Sequence, residues 1–301
     1  MNLIKITILL VAISSLVGLL TNTKDGMLFL ADSKSKPVKN KGDETNDRES
    51  TEAGITVIKK WELPKELTEI SGLSYMDEQR FACVQDELGK IFIYNIASSK
   101  IEKEIPFGAA GDYEGLAVVG ETVWVLRADG KLFEVANLNA AKPTVKEFVT
   151  PLTMKQDSEG LCYDKKYNRL LIAIKGIEPD TDDYKGIYAF DLVSKKMDQQ
   201  PVVKINLLDK AFETNGKKKR GSMNPSGISI HPLNGDLYIT DGRDPKLLIM
   251  DAGGAIKKLY SLSNYEFAQP EGITFNSTGD LFISNEGTKQ PGNILQVKID
   301  P

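Results

Sequence analysis

EISGLSY at 69–75 decides the fold, because the phrase returns four more times: DYEGLAV at 112–118, DSEGLCY at 157–163, NPSGISI at 224–230 and QPEGITF at 269–275. After each comes a second apolar segment (FACVQDE, VWVLRAD, LLIAIKG, LYITDGR, LFISNEG) and then a third (KIFIYN, KLFEVA, GIYAFD, KLLIMD, NILQVK). All are short runs rich in Val, Ile, Leu, Phe and Tyr, bounded by turn formers such as Asn168, Asn234-Gly235-Asp236 and Thr278-Gly279-Asp280. That is the pattern of β-strands, and no long stretch carries helical periodicity. The phrase glycines Gly72, Gly115, Gly160, Gly227 and Gly272 recur at roughly 43 to 45 residues, with one gap of roughly 67. The shorter spacing is that of a four-stranded propeller blade, so residues 55–301 are expected to form an all-β, five-bladed β-propeller with an insertion in one blade.

A propeller must close its ring, because an unpaired edge strand is a template for aggregation. The last unit supplies only three strands (271–276, 280–285 and 293–299), and the orphan strand at 55–63 (ITVIKKWEL) is expected to be its fourth. A six-bladed ring would need its extra blade between 176 and 224, where the only strand candidates, YKGIYAFDL and PVVKINLL, are required by the third blade. Residues two beyond each phrase glycine are small (Ser74, Ala117, Cys162, Ser229, Thr274), as expected of innermost strands crowded around an axis.

The repeat also lines up chemistry. Before each glycine stand Ser71, Glu114, Glu159, Ser226 and Glu271, and two residues earlier Glu69, Asp112, Asp157, Asn224 and Gln269. Fivefold geometry should bring these side chains to one end of the channel, where converging carboxylates repel unless protonated or neutralised by a cation. Any one of them alone would read as a solvated loop residue. Hard oxygen donors, with no histidine among them, point to calcium or magnesium rather than zinc or copper, and calcium tolerates irregular coordination by six to eight oxygens. The ends of the second strands, Asp86 with Glu87, Asp129, Lys175, Asp241 and Glu286, are expected to rim the same opening, with Arg127 and Lys175 adding positive charge there.

The N-terminus (1–22) carries one early charge, Lys5, and an uncharged apolar run over 6–20, the layout of a secretory signal or short membrane anchor. No cysteine follows, which excludes a lipoprotein anchor, and a cleaved leader and an uncleaved tether both stay open. Residues 23–54 form the expected flexible linker. Within it, 32–53 are almost wholly polar and cannot bury enough apolar area to offset their ordering entropy. The domain is thereby expected outside the cytoplasm, in the envelope or tethered to the membrane, as a monomer.

Composition excludes other classes. A net charge of -4 over 301 residues leaves no footprint for nucleic acid. The single histidine, His231, reads as a turn residue, which removes histidine-based hydrolysis and histidine-ligated zinc. Cys83 and Cys162 lie in apolar runs and read as buried free thiols. KKKR at 217–220 and DTDD at 180–183 read as solvated loops, the latter lacking the glycine and distal glutamate of an EF-hand.

The ordered phrases, with ITDGRDPKLLIMD and NSTGDLFISNEG, resemble the SdiA-regulated, YjiK-like family of bacterial envelope proteins over roughly residues 56–299. The resemblance implies a five-bladed propeller distantly similar to the NHL-repeat group, a central calcium and no established biochemical activity. Glu114, Glu159 and Glu271 match the acidic phrase position, and Ser71 and Ser226 match it as hydroxyls. The leading expectation is a calcium-binding module for a small-molecule or protein ligand at the rim. The alternative is a calcium-dependent hydrolase of a phosphoester or lactone, with Asp241 or Glu286 as base, like the lactonases, paraoxonase-like esterases and phytases of the wider propeller group. The absence of a nearby histidine and of a dense basic pocket counts against it. In a third reading the ion only pins the ring shut.

Overall fold

The computed structural model describes residues 54–213 and 220–300. The leader, all of the linker but Gly54, and the lysines of KKKR lie outside them. The chain enters on β1 (Ile55–Glu62) and then runs through five sheets. Blade 1 holds β2 (Ile70–Tyr75), β3 (Arg80–Gln85), β4 (Lys90–Asn95) and β5 (Lys100–Pro106). Blade 2 holds β6 (Tyr113–Val119), β7 (Thr122–Arg127), β8 (Leu132–Ala136) and β9 (Thr144–Phe148). Blade 3 holds β10 (Ser158–Asp164), β11 (Arg169–Ile174), β12 (Tyr184–Asp191), β13 (Lys196–Met197) and β14 (Val203–Asn206). Blade 4 holds β15 (Pro225–Ile230), β16 (Leu237–Asp241), β17 (Lys246–Met250) and β18 (Ile256–Ser261). Blade 5 holds β19 (Pro270–Phe275), β20 (Leu281–Asn285) and β21 (Asn293–Ile299), with β1 paired antiparallel to β21 as its outer strand. The two ends of the domain are thus tied in one sheet, and five blades is the count.

The long third repeat adds no blade. Its outer edge is split, with β13 pairing one end of β12 and β14 the other.

The core is five wedges, each lying between consecutive blades. Along β3, Ala82 and Val84 pack toward blade 2 while Phe81 and Cys83 pack toward blade 5. Along β4, Ile91 and Ile93 join the first set and Phe92 and Tyr94 the second. Because both faces of the inner strands are buried, they read as continuous apolar runs, and the period of two only decides which neighbour each side chain meets. Each such side chain contributes roughly 1.5–3 kcal/mol of burial. Outer strands such as β5 (KIEKEIP) alternate exposed lysine and glutamate, which blunts the edge.

Candidate functional site

The phrase glycines set the blade spacing at the axis. A β-carbon on Gly115 would stand 2.8 Å from Leu161 Cβ and 2.9 Å from Leu161 N. One on Gly160 would stand 3.0 Å from Ile228 N, and one on Gly72 3.0 Å from Leu116 N. Gly227 abuts Glu271 and Ile273 in the same way, and Gly272 abuts Leu73, which completes the circle. Only a residue without a side chain allows the inner strands to come this close.

The residue before each glycine occupies a β-bulge. In blade 1 Ile70 pairs with Gln85 and Gly72 with Val84, leaving Ser71 unpaired, and the same slip leaves Glu114, Glu159 and Ser226 unpaired. In blade 5 the ladder runs from Pro270 directly to Ile273, leaving Glu271 and Gly272 in the irregularity. Bulges re-aim side chains, and here the same position is bulged five times. Ser71, Glu114, Glu159 and Ser226 line one cavity of about 10 Å³, room for a single water-sized occupant. Ser71, Glu159, Ser226 and Glu271 are buried, and Glu114 is half-buried. The opposite end of the axis is a wider cavity of about 170 Å³, lined by Ser74, Ala117, Cys162, Ser229 and Thr274.

The ring carboxylates perturb one another. Burial, then repulsion by Glu159, then sharing of a hydrogen bond with Asp112, push the Glu114 carboxyl up to about 10. Burial also raises Glu159, and Lys175 limits the rise to about 7. Glu271 is held well above the usual carboxylate range by burial and then by Glu159. A single ammonium sits among them: Lys175 Nζ donates to Glu159 Oε1 at 2.7 Å. Burial alone would depress Lys175, but Glu159, Glu271 and Asp157 outweigh it and hold the ammonium charged. The two hydroxyls give their protons to backbone, Ser226 Oγ to Pro270 O at 2.6 Å and Ser71 Oγ to Glu69 O at 3.3 Å, and their oxygens keep lone pairs.

Around this ring, Glu69 and Asp112 are exposed and Asp157 is half-buried with a left-handed φ of 47°. Gln269 Nε2 donates to Glu271 Oε1 at 3.2 Å and also to Glu286. Burial first, then Asp86 and Glu69, raise Glu286; burial and then Glu69 raise Asp86.

The rim expected from the second strands needs correction, because its residues do not occupy equivalent positions in the five ladders. The residues following the ladder partners Gln85, Arg127, Ile174, Asp241 and Asn285 are Asp86, Ala128, Lys175, Gly242 and Glu286. Asp86, Lys175 and Glu286 are therefore equivalent, and Asp241 and Asp129 are one residue off. Asp241 is completely buried beneath the rim. Its Oδ2 accepts Asn224 N–H at 2.8 Å and its Oδ1 accepts Arg243 and Asp244 N–H at 3.0 and 3.1 Å, so it braces a turn and is not placed to act as a base. Arg127 donates to both Asp129 carboxylate oxygens at 3.0 and 2.7 Å and so adds no free charge to the opening.

The remaining motifs fall outside the site. Arg220, the described end of KKKR, pairs with Asp182 of DTDD. His231 stacks on Tyr238 and meets Phe275 edge to face, and burial lowers its basicity. Cys83 and Cys162 are buried free thiols. Sequence reasoning missed Lys185, whose Nζ donates to Lys175 O at 2.6 Å and to Gly176 O, clamping the end of β11 under the ring. Its only signal was a lysine after an acidic loop.

Among the described residues, no three Asp, Glu, His or Cys side chains already stand grouped as a metal cage. Glu159 is engaged by Lys175 and Glu114 by Asp112.

These features define a five-bladed propeller with an acidic axial mouth. The model of the SdiA-regulated family matches residues 51–289, and the chain belongs to that family. Among solved structures, a glutaminyl cyclase from Myxococcus xanthus is similar at 15% identity over 82% of this chain and 97% of that one, with a TM-score of 0.57. An aldose sugar dehydrogenase from Streptomyces coelicolor gives 11% identity, 82% and 98% coverage and a TM-score of 0.49. Virginiamycin B lyase from Staphylococcus aureus gives 15%, 80% and 74%, and 0.43. At such identities the likeness is one of fold alone. No curated protein matches the chain.

Proposed function

We propose that the acidic mouth binds one hard divalent cation, calcium by preference, and that the propeller serves as a binding module of the cell envelope. The observation that carries this reading is the convergence of Glu114 and Glu159 from two blades on a one-water opening, with Glu271 of a third blade close enough to perturb them and Lys175 paired to Glu159. The donor set fits the ion in chemistry: carboxylates and hydroxyl oxygens only, as calcium and magnesium prefer. Lys175 stands in as the positive charge. The backbone positions are fixed by the glycine contacts, so regrouping requires only side-chain rotation. Glu114, Glu159 and Glu271 would hold the ion, with Ser71 and Ser226 as neutral oxygens. A bound ion would supply a concentrated positive charge at the mouth, suited to an anionic group of a ligand. Envelope placement rests on the apolar N-terminal run.

Calorimetric titration of the purified chain with calcium is expected to show about one ion per chain. Glu114→Gln and Glu271→Gln should each weaken binding roughly tenfold or more, since each removes a charge at close range. Absence of binding by calcium, magnesium and manganese alike would overturn the reading. For the hydrolase alternative, the burial of Asp241 leaves Glu286 as the candidate base. Chelator-sensitive turnover of chromogenic esters or phosphoesters would restore it.

A further inference from the structure

We infer that Lys175 is a tethered competitor for the cation, a side chain that holds the ring carboxylate of Glu159 in the ion-free protein and must swing away for the ion to take that carboxylate. The inference deepens the proposed function and rests on it.

Three observations lead to it. Of the five equivalent positions facing the ring, only blade 3 carries a cation, the others being Asp86, Ala128, Gly242 and Glu286. The ammonium lies 2.7 Å from a carboxylate that is itself only 4% exposed, while the lysine side chain is 37% exposed. Its ammonium thus meets a buried carboxylate while the side chain keeps more than a third of its surface in solvent, so rotation of the side chain can carry the ammonium outward without crossing the core. Finally, the backbone is held apart from this motion: Lys185 grips the Lys175 and Gly176 carbonyls, and Lys175 N donates to Asp157 O at 2.8 Å. A rigid anchor with a flexible, half-exposed, charged arm has two positions available, one inserted and one in water. Lysine suits the role better than arginine, because its ammonium is a point charge on a flexible stem while a guanidinium locks onto a carboxylate through two bonds.

Two consequences follow. The ion-free propeller needs no metal to remain folded, because its own ammonium offsets part of the ring's repulsion. The ion is then a reversible ligand, bound less tightly than the bare glutamates would bind it.

The test uses calcium titration by calorimetry and thermal unfolding with and without chelator, on the full chain and two variants. Lys175→Met should bind calcium at least roughly tenfold tighter, because a unit positive charge a few ångströms away has been removed. Its melting temperature should fall in chelator and recover in calcium, with a larger span than wild type shows. Lys175→Arg, which keeps the charge and is expected to fold as wild type, should bind calcium roughly tenfold more weakly. Wild-type affinity in both variants would overturn the inference while leaving the cation site standing. So would tighter binding by the arginine variant, or a methionine variant that fails to fold even in calcium. Failure of wild type and both variants to bind calcium would overturn the proposed function itself.

Discussion

The two mouths of the axis are built by the same five strands, three residues apart, and differ in nearly every physical respect. At one, Ser71, Glu114, Glu159 and Ser226 line about 10 Å³, with Glu271 close enough to be repelled by Glu159 and Lys175 paired to Glu159. At the other, Ser74, Ala117, Cys162, Ser229 and Thr274 line about 170 Å³ without a single charge. Hydroxyls there stitch neighbouring blades together: Ser74 Oγ accepts Val118 N–H at 3.3 Å and Thr274 Oγ1 accepts Tyr75 N–H at 3.1 Å. The neutral mouth uses its polar atoms between blades, while the acidic mouth holds carboxylates with too few partners. The proposed function rests on this contrast, because buried carboxylates with strongly raised pKa are costly and cluster chiefly at sites of use.

The largest effect expected from probing this contrast is steric. Gly115→Val should destabilise the fold by about 3 kcal/mol in urea unfolding, because its side chain would run into the Glu159 carbonyl and the Leu161 backbone and Cβ, none of which can rotate away. Ala117→Ser, two residues on and facing the wide cavity, should cost less than about 1 kcal/mol. Equal costs would mean that the two ends are packed alike.

Next comes pH. Glu114, Glu159 and Glu271 are all held above their ordinary carboxylate range, so ionising them opposes folding. Their stabilising contribution is full below the ordinary value of 4.5, and it is lost as pH rises past 7 for Glu159 and toward 10 for Glu114. In chelator the unfolding free energy should therefore fall from about pH 5 toward about pH 10, by at least about 2 kcal/mol. Glu114→Gln should flatten the upper part of that decline, and saturating calcium should remove it. A slope indifferent to both would show that the carboxylates are already neutralised.

A third measurement sharpens the inner boundary of the acidic mouth. Asp241→Asn should cost about 2 kcal/mol by leaving backbone N–H groups poorly matched, yet leave calcium affinity unchanged. A loss of affinity would bring Asp241 back into the site. The smallest effect belongs to the neutral mouth. Cys162→Ser should shift stability by less than about 1 kcal/mol. The native Cys162 thiol, which burial keeps protonated, should react with a chromogenic disulfide only in denaturant. Rapid native labelling would show that the wide cavity is open and its wall reactive.

Much of this was legible from the chain because a propeller writes its symmetry into sequence. A phrase that recurs five times with one glycine in place announces both the number of blades and the contact that spaces them. The closing strand at 55–63 followed from counting strands in the last repeat, and the ring followed from superposing Ser71, Glu114, Glu159, Ser226 and Glu271. The rim was only half legible. Asp241 and Asp129 resemble Asp86 and Glu286 chemically, but strict alignment of the second segments puts Asp86, Ala128, Lys175, Gly242 and Glu286 at one position, and chemical likeness is a poorer guide to the rim than position in the repeat.

By itself, then, the sequence determined which side chains belong to the axis, since equivalent residues in a repeat must occupy equivalent places. The tertiary structure alone decided which of them face one another. The Lys175–Glu159 pair, the burial of Asp241 and the closure of Arg127 onto Asp129 depend on hydrogen-bond register and on distances of a few ångströms between blades, and charge interactions at that range are set by geometry that composition does not encode.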